Sequence, residues 1–179
     1  MKKHIAILSI ILSHFSSFAS HVPGGNISYE CIGPNTYVVT LTVLEDCGTA
    51  FIGNVPQPIS VNNSCGLTFA TNINLPIVTY QQEVSQVCSQ QINQTTCNGG
   101  ALPGYFMHKW SDTITLPGTC DSWIFSYDDC CRNTSQNLVG SANDYYFETV
   151  LNSSTSPCNN SPTLISSPIP YVSINQIVN

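Results

Sequence analysis

The sequence predicts an all-β fold, a disulfide-stapled two-sheet β-sandwich of immunoglobulin-like or Greek-key type. Three observations predict it. Apolar and polar residues alternate with a period of two along several segments, clusters of Gly, Pro and Asn separate those segments, and nine cysteines follow an N-terminal export signal. No segment shows a sustained helical period.

The first 19 residues have the pattern of a secretory signal peptide. Lys2 and Lys3 give a basic start, residues 5–12 are apolar, and Ser17 and Ala19 place small side chains where signal peptidase cleaves. We expect cleavage after Ala19. The apolar run is shorter than the roughly 20 residues that a bilayer span requires, so no membrane span is expected in the mature chain. The sequence therefore predicts a protein that is secreted or held at the cell surface.

The charge of the mature chain excludes some classes of partner. Loss of Lys2 and Lys3 leaves two basic residues, Lys109 and Arg132, against ten acidic residues, a formal charge of −8. Nucleic-acid binding requires several Lys or Arg side chains to neutralise phosphates. We therefore expect neither nucleic acid nor anionic lipid as a partner, and the oligomeric state stays open.

Strand-like alternation is clearest at residues 37–43 and 123–128, where β-branched and aromatic residues recur at every second position. The polar, Gln-rich segment 81–96 is predicted to be a loop, with a short edge strand or a helical turn as alternatives. We expect the sandwich to span residues 20–165, with 166–179 as an exit strand or linker towards a following module. Further strands are predicted at residues 27–31, 59–61, 67–71, 76–80, 105–116 and 145–151.

The cysteines favour disulfides over a metal site. The chain has no repeated pair of closely spaced cysteines, and only His21 and His108 remain after cleavage, so the typical ligand spacing of a zinc site is missing. In an oxidising compartment cysteines form disulfides. The candidates are Cys31, Cys47, Cys65, Cys88, Cys97, Cys120, Cys130, Cys131 and Cys158.

Two pairing expectations follow from position along the chain. Cys130 and Cys131 come just after a predicted strand, where adjacent side chains point to opposite faces, so we expect them not to bond each other. Cys88 and Cys97 bracket a short polar loop, and we expect them to pair. Because nine is odd, one thiol is left free, pairs between chains or has lost its partner.

The sequence predicts no enzyme. A cysteine thiol with His108 or His21 would make a nucleophile and base, and Asp128 with Asp129 would make paired carboxylates. A mid-strand histidine and two turn carboxylates have simpler structural explanations. No nucleophile elbow, phosphate loop or zinc-protease motif is present. We therefore expect no catalytic residue, no cofactor and no metal.

Three aromatic residues suggest a binding alternative. Tyr105, Trp110 and Tyr127 would stack on sugar rings if they shared an exposed face, as in a small carbohydrate-binding domain. The same residue types also fill sandwich cores, so exposure decides between the two interpretations. A secreted hydrolase is a third alternative, and it requires His108 within hydrogen-bonding reach of a free thiol.

Several segments together resemble a known family. The chain is similar to the N-terminal module of large secreted surface proteins of Bacteroidota, described as PKD-like or gliding motility-associated proteins. The segments that carry the resemblance read SHVPGGNISYEC (20–31), YVVTL (37–41), EDC (45–47), TCNGG (96–100), PG (103–104), ITLP (114–117), CDSWIFSY (120–127), CCRN (130–133), NNSPT (159–163) and PIPYV (168–172).

The resemblance implies a surface or adhesin-like module without enzymatic activity, which meets cell-surface proteins or glycans. Two departures from the family pattern stand out. Ser173 occupies the position where the family has a cysteine, which implies that Cys158 or Cys31 has lost its partner. The chain also ends at Asn179 where relatives continue into further domains, so we expect a fragment, a truncated gene or a solo module.

Overall fold

The computed structural model describes residues 22–48, 52–130, 132 and 144–162. Within these residues the chain forms eight β-strands and two short 3-10 helices, Ser89–Gln94 and Thr96–Asn98. The predicted signal peptide, its cleavage after Ala19 and the exit segment 166–179 lie outside the described residues. The strands are β1 (Gly24–Gly33), β2 (Thr36–Asp46), β3 (Gln57–Asn63), β4 (Asn72–Leu75), β5 (Ile77–Glu83), β6 (Tyr105–Thr115), β7 (Trp123–Asp129) and β8 (Tyr145–Leu151).

The strands form two antiparallel four-stranded sheets, which confirms the predicted β-sandwich. The first sheet has the order β1-β2-β6-β5 and the second the order β4-β3-β7-β8. This arrangement matches the ABED and CFG sheets of immunoglobulin constant-type domains, with one further strand beside the third. The stapling differs, because none of the three disulfides between described residues joins β2 to β7, where the immunoglobulin bridge lies.

Every second residue of the central strands points into the space between the sheets. On β2 the inward residues are Tyr37, Val39 and Leu41, all completely buried, and on β7 they include Trp123 and Phe125, also completely buried. Residues with this spacing share one face of a strand because side chains alternate across it. The period of two predicted for residues 37–43 and 123–128 is confirmed.

Two segments depart from the predicted pattern. Residues 67–71 form a loop, so the strand predicted there is wrong, and the strand β4 follows at Asn72–Leu75. The loop is apolar because it also contributes to the core: the ring centroid of Phe69 lies 5.8 Å from that of Trp123. In the Gln-rich segment, β5 continues to Glu83 and a 3-10 helix follows, so both alternatives to a plain loop are present there.

The antiparallel register sorts the connections into two ends of the sandwich. Asp46 at the end of β2 pairs with Tyr105 at the start of β6, and Asp129 at the end of β7 pairs with Tyr145 at the start of β8. We call this the cleft end, because a cleft opens there. The opposite end carries the turn 33–36, the loops 64–71 and 116–122, and the segment 152–162.

Among the described residues, three disulfides with both cysteines in view connect loops at the two ends of the sandwich. At the cleft end, Cys47–Cys97 ties the end of β2 to the second 3-10 helix. At the opposite end, Cys65–Cys120 joins the loop after β3 to the loop before β7, and Cys31–Cys158 joins β1 to the segment after β8. The bonds span 50, 55 and 127 residues of sequence respectively.

The pairing corrects two expectations. Cys97 bonds Cys47 and not Cys88, because it packs against Gly104 beside the end of β2, whereas Cys88 is exposed and free. Cys31 and Cys158 bond each other, so neither is the unpaired cysteine that the family pattern implied.

The remaining expectation concerns the adjacent pair. Cys130 is disulfide-bonded. The prediction that it does not bond Cys131 falls on a residue outside the described part of the chain.

The segment after β8 covers the free edge of β1. The backbone N–H of Ser161 donates to the carbonyl oxygen of Tyr29 at 3.0 Å, and Ser161 Oγ accepts from the N–H of Tyr29 at 2.9 Å. Asn160 Oδ1 accepts from the N–H of Cys31 at 2.7 Å. These contacts satisfy backbone groups that an edge strand would otherwise offer to another chain.

Candidate functional site

The structure does not bring the three predicted ligand-facing aromatic residues onto one exposed face. Trp110 is completely buried, and its indole Nε1 donates to the carbonyl oxygen of Val55 at 2.8 Å. Tyr127 is 6% exposed, and Tyr105 is half-buried at the start of β6. Stacking on a sugar requires an accessible ring face, so this burial counts against a flat sugar-binding platform.

Instead, Trp110 and Tyr127 line a narrow cleft between the two sheets. Its volume is about 190 Å³. Positions 123, 125, 127 and 129 share the inward face of β7. Asp129 is the last of these residues and lies at the end of the strand, where this face meets solvent. The described lining residues are Val43, Ile52, Gly53, Gln57, Trp110, Tyr127, Asp129, Cys130 and Tyr145.

The polar groups of the cleft gather around Asp129. The hydroxyl of Tyr127 lies within donating distance of Asp129 Oδ2, at 3.2 Å, and of Gln57 Oε1, at 3.3 Å. The other carboxylate oxygen of Asp129 accepts from the backbone N–H of Cys130 at 2.7 Å. Asp129 carries the one formal charge among the described lining residues.

Both tyrosine hydroxyls of the cleft stay neutral at physiological pH. Burial, reinforced by Tyr145 and Asp129, raises the pKa of Tyr127 far above its ordinary value of 10.0. Burial, together with the charge of Asp129, raises the pKa of Tyr145 to about 12. A phenol beside a carboxylate resists ionisation because a second negative charge would be repelled.

A buried contact between a histidine and a carboxylate, His108 and Glu45, lies on the inner face of the first sheet. His108 is completely buried and Glu45 is 2% exposed, and Nε2 lies 2.8 Å from Oε2. The imidazole stacks on Trp110 with centroids 5.8 Å apart and meets the ring of Tyr80 edge-on at 5.1 Å. Glu45 Oε2 also accepts the backbone N–H of Ile52 at 3.0 Å.

The two side chains are close and tightly packed. Nε2 lies 2.8 Å from Glu45 Oε2, yet among the described residues neither nitrogen of His108 has a hydrogen-bond partner. From the sequence, His108 was expected to be an ordinary sheet residue. The alternation of side chains would have indicated its burial and that of Glu45. His108 is two residues from the inward-facing Trp110 on β6, and Glu45 is two residues from the inward-facing Val43 on β2.

The structure assembles no nucleophile and base from the described residues. Cys88 is exposed ahead of the first 3-10 helix, and no hydrogen bond joins it to the buried His108. Asp128 is exposed, and Asp129 accepts a turn hydrogen bond, as a carboxylate at that position is expected to do. His21 lies outside the described residues.

Within the described ranges, no three His, Cys, Asp or Glu side chains are grouped so that they could hold a metal ion. None of the helical segments described has the length and hydrophobicity that crossing a membrane requires.

Comparison with known proteins found no relative. No protein-family model, no curated protein and no solved structure matches this chain.

Proposed function

We propose that this chain is a non-enzymatic, structural or adhesin-like module of the cell surface or the secreted fraction, which presents loops to protein or glycan partners. The export signal and the resemblance to Bacteroidota surface proteins support the location. The observation that carries the proposal is a loop at the cleft end, residues 84–104, which we call the Gln-rich loop. Most of its residues are exposed or partly exposed and polar, yet a disulfide and several hydrogen bonds tie its backbone to β2 and to itself.

The Gln-rich loop is fixed at several points. The Cys47–Cys97 bond ties the loop to the end of β2. The backbone N–H of Cys47 also donates to the carbonyl oxygen of Gly104 at 3.0 Å, which fixes the last residue of the loop to the same strand end. Within the loop, the N–H of Leu102 donates to Gln94 at 2.8 Å and the N–H of Thr96 donates to Leu102 at 2.7 Å. The backbone is therefore paired internally rather than left to solvent.

A carboxylate organises the base of the loop. Glu83 accepts hydrogen bonds from Ser85 at 2.8 Å, from Thr95 at 2.7 Å and from Asn98 at 2.9 Å. Partial burial alone would raise the pKa of Glu83, but the three donors outweigh it and hold the pKa below the ordinary 4.5. The charged form of Glu83 is thus the form that the loop requires.

The outer surface of the loop suits hydrogen bonding to neutral partners. Gln90, Gln91, Asn93 and Gln94 are exposed there. A side-chain amide offers donors and an acceptor together, which fits sugar hydroxyls and peptide backbones. A loop that is ordered before binding loses less conformational entropy when a partner docks.

The location is tested by export. The full chain, expressed in a bacterium with a secretion pathway, is expected to leave the cytoplasm and to begin at Ser20. Mass spectrometry of the exported protein measures this. Retention in the cytoplasm with an intact N-terminus would contradict the proposed location.

The display role is tested by binding to glycan arrays and to intact cell surfaces. The variant Gln90→Ala/Gln91→Ala/Gln94→Ala is expected to lose binding. A matched control is Asn62→Ala/Asn74→Ala, which removes exposed amides from the second sheet and leaves the loop intact. Equal binding by the two variants, or turnover of a glycan or peptide substrate by the protein, would overturn the proposal.

A further inference from the structure

The cleft at the end of the sandwich has the chemistry of a cation site. Its described polar groups are the carboxylate of Asp129, the amide oxygen of Gln57 and the hydroxyls of Tyr127 and Tyr145. No Lys, Arg or His is among the described lining residues. Because the Tyr127 hydroxyl already donates to Asp129 or Gln57, what the cleft still offers a ligand is acceptor oxygens and a negative charge.

Two tyrosine rings lie beside these oxygens. Tyr127 and Tyr145, 6% and 8% exposed, line the cleft, and their ring centroids lie 6.0 Å apart at an angle of 44°, whereas Trp110 behind them is completely buried. The faces of such rings attract a cation within about 6 Å of the centroid. The aromatic rings and the carboxylate of Asp129 therefore both favour a cationic ligand.

The size of the cleft limits the ligand. Its volume of about 190 Å³ is below the roughly 300 Å³ at which pockets for drug-sized molecules begin. A single short alkyl chain with a charged end fits this volume. Ile52, which is partly exposed, gives the cleft an apolar wall, against which a methylene chain packs while its charged head stays with Asp129.

We propose that this cleft binds a primary ammonium group on an alkyl stem, the group found at the end of a lysine side chain and in free alkylamines. The ammonium would donate to Asp129, Gln57 and the Tyr145 hydroxyl, and the stem would lie against Ile52. Three N–H donors match a site rich in acceptors, whereas a quaternary ammonium has none to offer. The inference is independent of where the chain is exported.

The probe is n-butylammonium, added to the isotope-labelled exported protein and followed by nuclear magnetic resonance. Signals from the cleft residues are expected to shift with a dissociation constant of about 1 mM, as a single small group can provide. The neutral analogue 1-butanol and tetramethylammonium, which lacks N–H donors, are expected to bind at least about tenfold more weakly. Equal affinity for tetramethylammonium would overturn the assignment to a primary ammonium.

Variants locate the site. Asp129→Asn removes the charge and is expected to weaken n-butylammonium binding about tenfold or more. Asp128→Asn is the matched control, because it removes the same charge one residue earlier, on the opposite face of β7. Tyr145→Phe keeps the ring, removes the hydroxyl and is expected to weaken binding by a smaller factor. Equal effects of Asp128→Asn and Asp129→Asn, or none from either, would refute the site.

A second pair of probes distinguishes the two sources of the ammonium group, a lysine side chain and a free alkylamine. Nα-acetyl-lysine methylamide carries the lysine side chain, and its Nε-acetylated form lacks the charge. Binding of the first but not the second assigns a lysine side chain of a partner protein. Binding of n-butylammonium alone assigns a free alkylamine, and binding of the Nε-acetylated form as tightly as the charged form would overturn the proposal.

Discussion

The buried pair of His108 and Glu45 gives the sharpest test of what stabilises the sandwich. At 2.8 Å, such a pair attracts by about 6 kcal/mol at an effective dielectric constant of about 20 when the imidazole carries a proton. Desolvation of both groups offsets most of that attraction. The net contribution of the pair is therefore small, but loss of one partner leaves the other buried without compensation.

Glu45→Ala is expected to lower the free energy of unfolding by about 3–5 kcal/mol. Part of that loss is the hydrogen bond from Ile52 N–H to Glu45 Oε2, worth about 1 kcal/mol. For a domain of this size, the melting temperature should fall by about 10 °C or more. Urea unfolding and thermal unfolding followed by circular dichroism measure the two quantities.

Two further variants separate the pair from simple loss of packing. The double variant Glu45→Leu/His108→Leu is expected to recover most of the stability, to within about 2 kcal/mol of the natural protein, because apolar residues need no charge partner. The control Glu30→Ala removes an exposed glutamate of β1 and should change stability by less than about 0.5 kcal/mol. If Glu45→Ala lowers the free energy of unfolding by less than about 1 kcal/mol, or if the double variant is less stable than the single one, the reasoning is refuted.

Three other predictions concern packing, sulfur and pH. Gly104→Ala would place a Cβ 2.7 Å from the sulfur of Cys97, and we expect a loss of about 1–3 kcal/mol in urea unfolding. Thiol titration of the unfolded, unreduced protein should find one free thiol per chain, or none if Cys88 pairs between chains, and Cys88→Ser should abolish the free thiol. Burial raises the pKa of Tyr145 to about 12 from 10.0. The contribution of Tyr145 to the free energy of unfolding is therefore complete below pH 10 and is lost as the pH rises from 10 towards 12. Tyr145→Phe should reduce that alkaline loss in unfolding measured from pH 8 to pH 11.

Each of these has a result that contradicts it. Unchanged stability in Gly104→Ala would mean that the disulfide moves aside freely. Three or more free thiols per chain would contradict the pairing of the cysteines. An alkaline stability profile identical in the natural protein and Tyr145→Phe would show that Tyr145 ionises equally in the folded and unfolded chains.

The sequence was sufficient for the fold because the fold depends on local alternation. Tyr37, Val39 and Leu41 show the inward face of β2 without knowledge of any other strand, since the period of two is a property of the backbone. The strand β4 was missed for the same reason. Its four residues, Asn-Ile-Asn-Leu, do alternate, but four residues, two of them asparagine, are too few to distinguish a strand from a loop.

The site and the disulfides were harder to predict because both depend on which strands meet. The alternation of side chains along each strand would place His108 and Glu45 in the core, but only the pairing of β2 with β6 brings the two residues together. The bond of Cys47 with Cys97 depends on the fold of the Gln-rich loop, 50 residues along the chain. Such contacts are non-local, and a single sequence carries no direct record of them.

The Cys31–Cys158 bond has a mechanical consequence. The described chain enters along β1, reaches Cys31 within about ten residues, and crosses there to Cys158 just before Ser161 and Pro162. A pull applied at Val22 and Pro162 would therefore travel through β1 and one covalent bond, and the 127 residues of sequence separation between the two sulfurs would carry no tension. Under load the sandwich would behave as a short, inextensible link. Reduction of this one bond would transfer the load to the sheets, whose extension the Cys47–Cys97 and Cys65–Cys120 bonds would still limit.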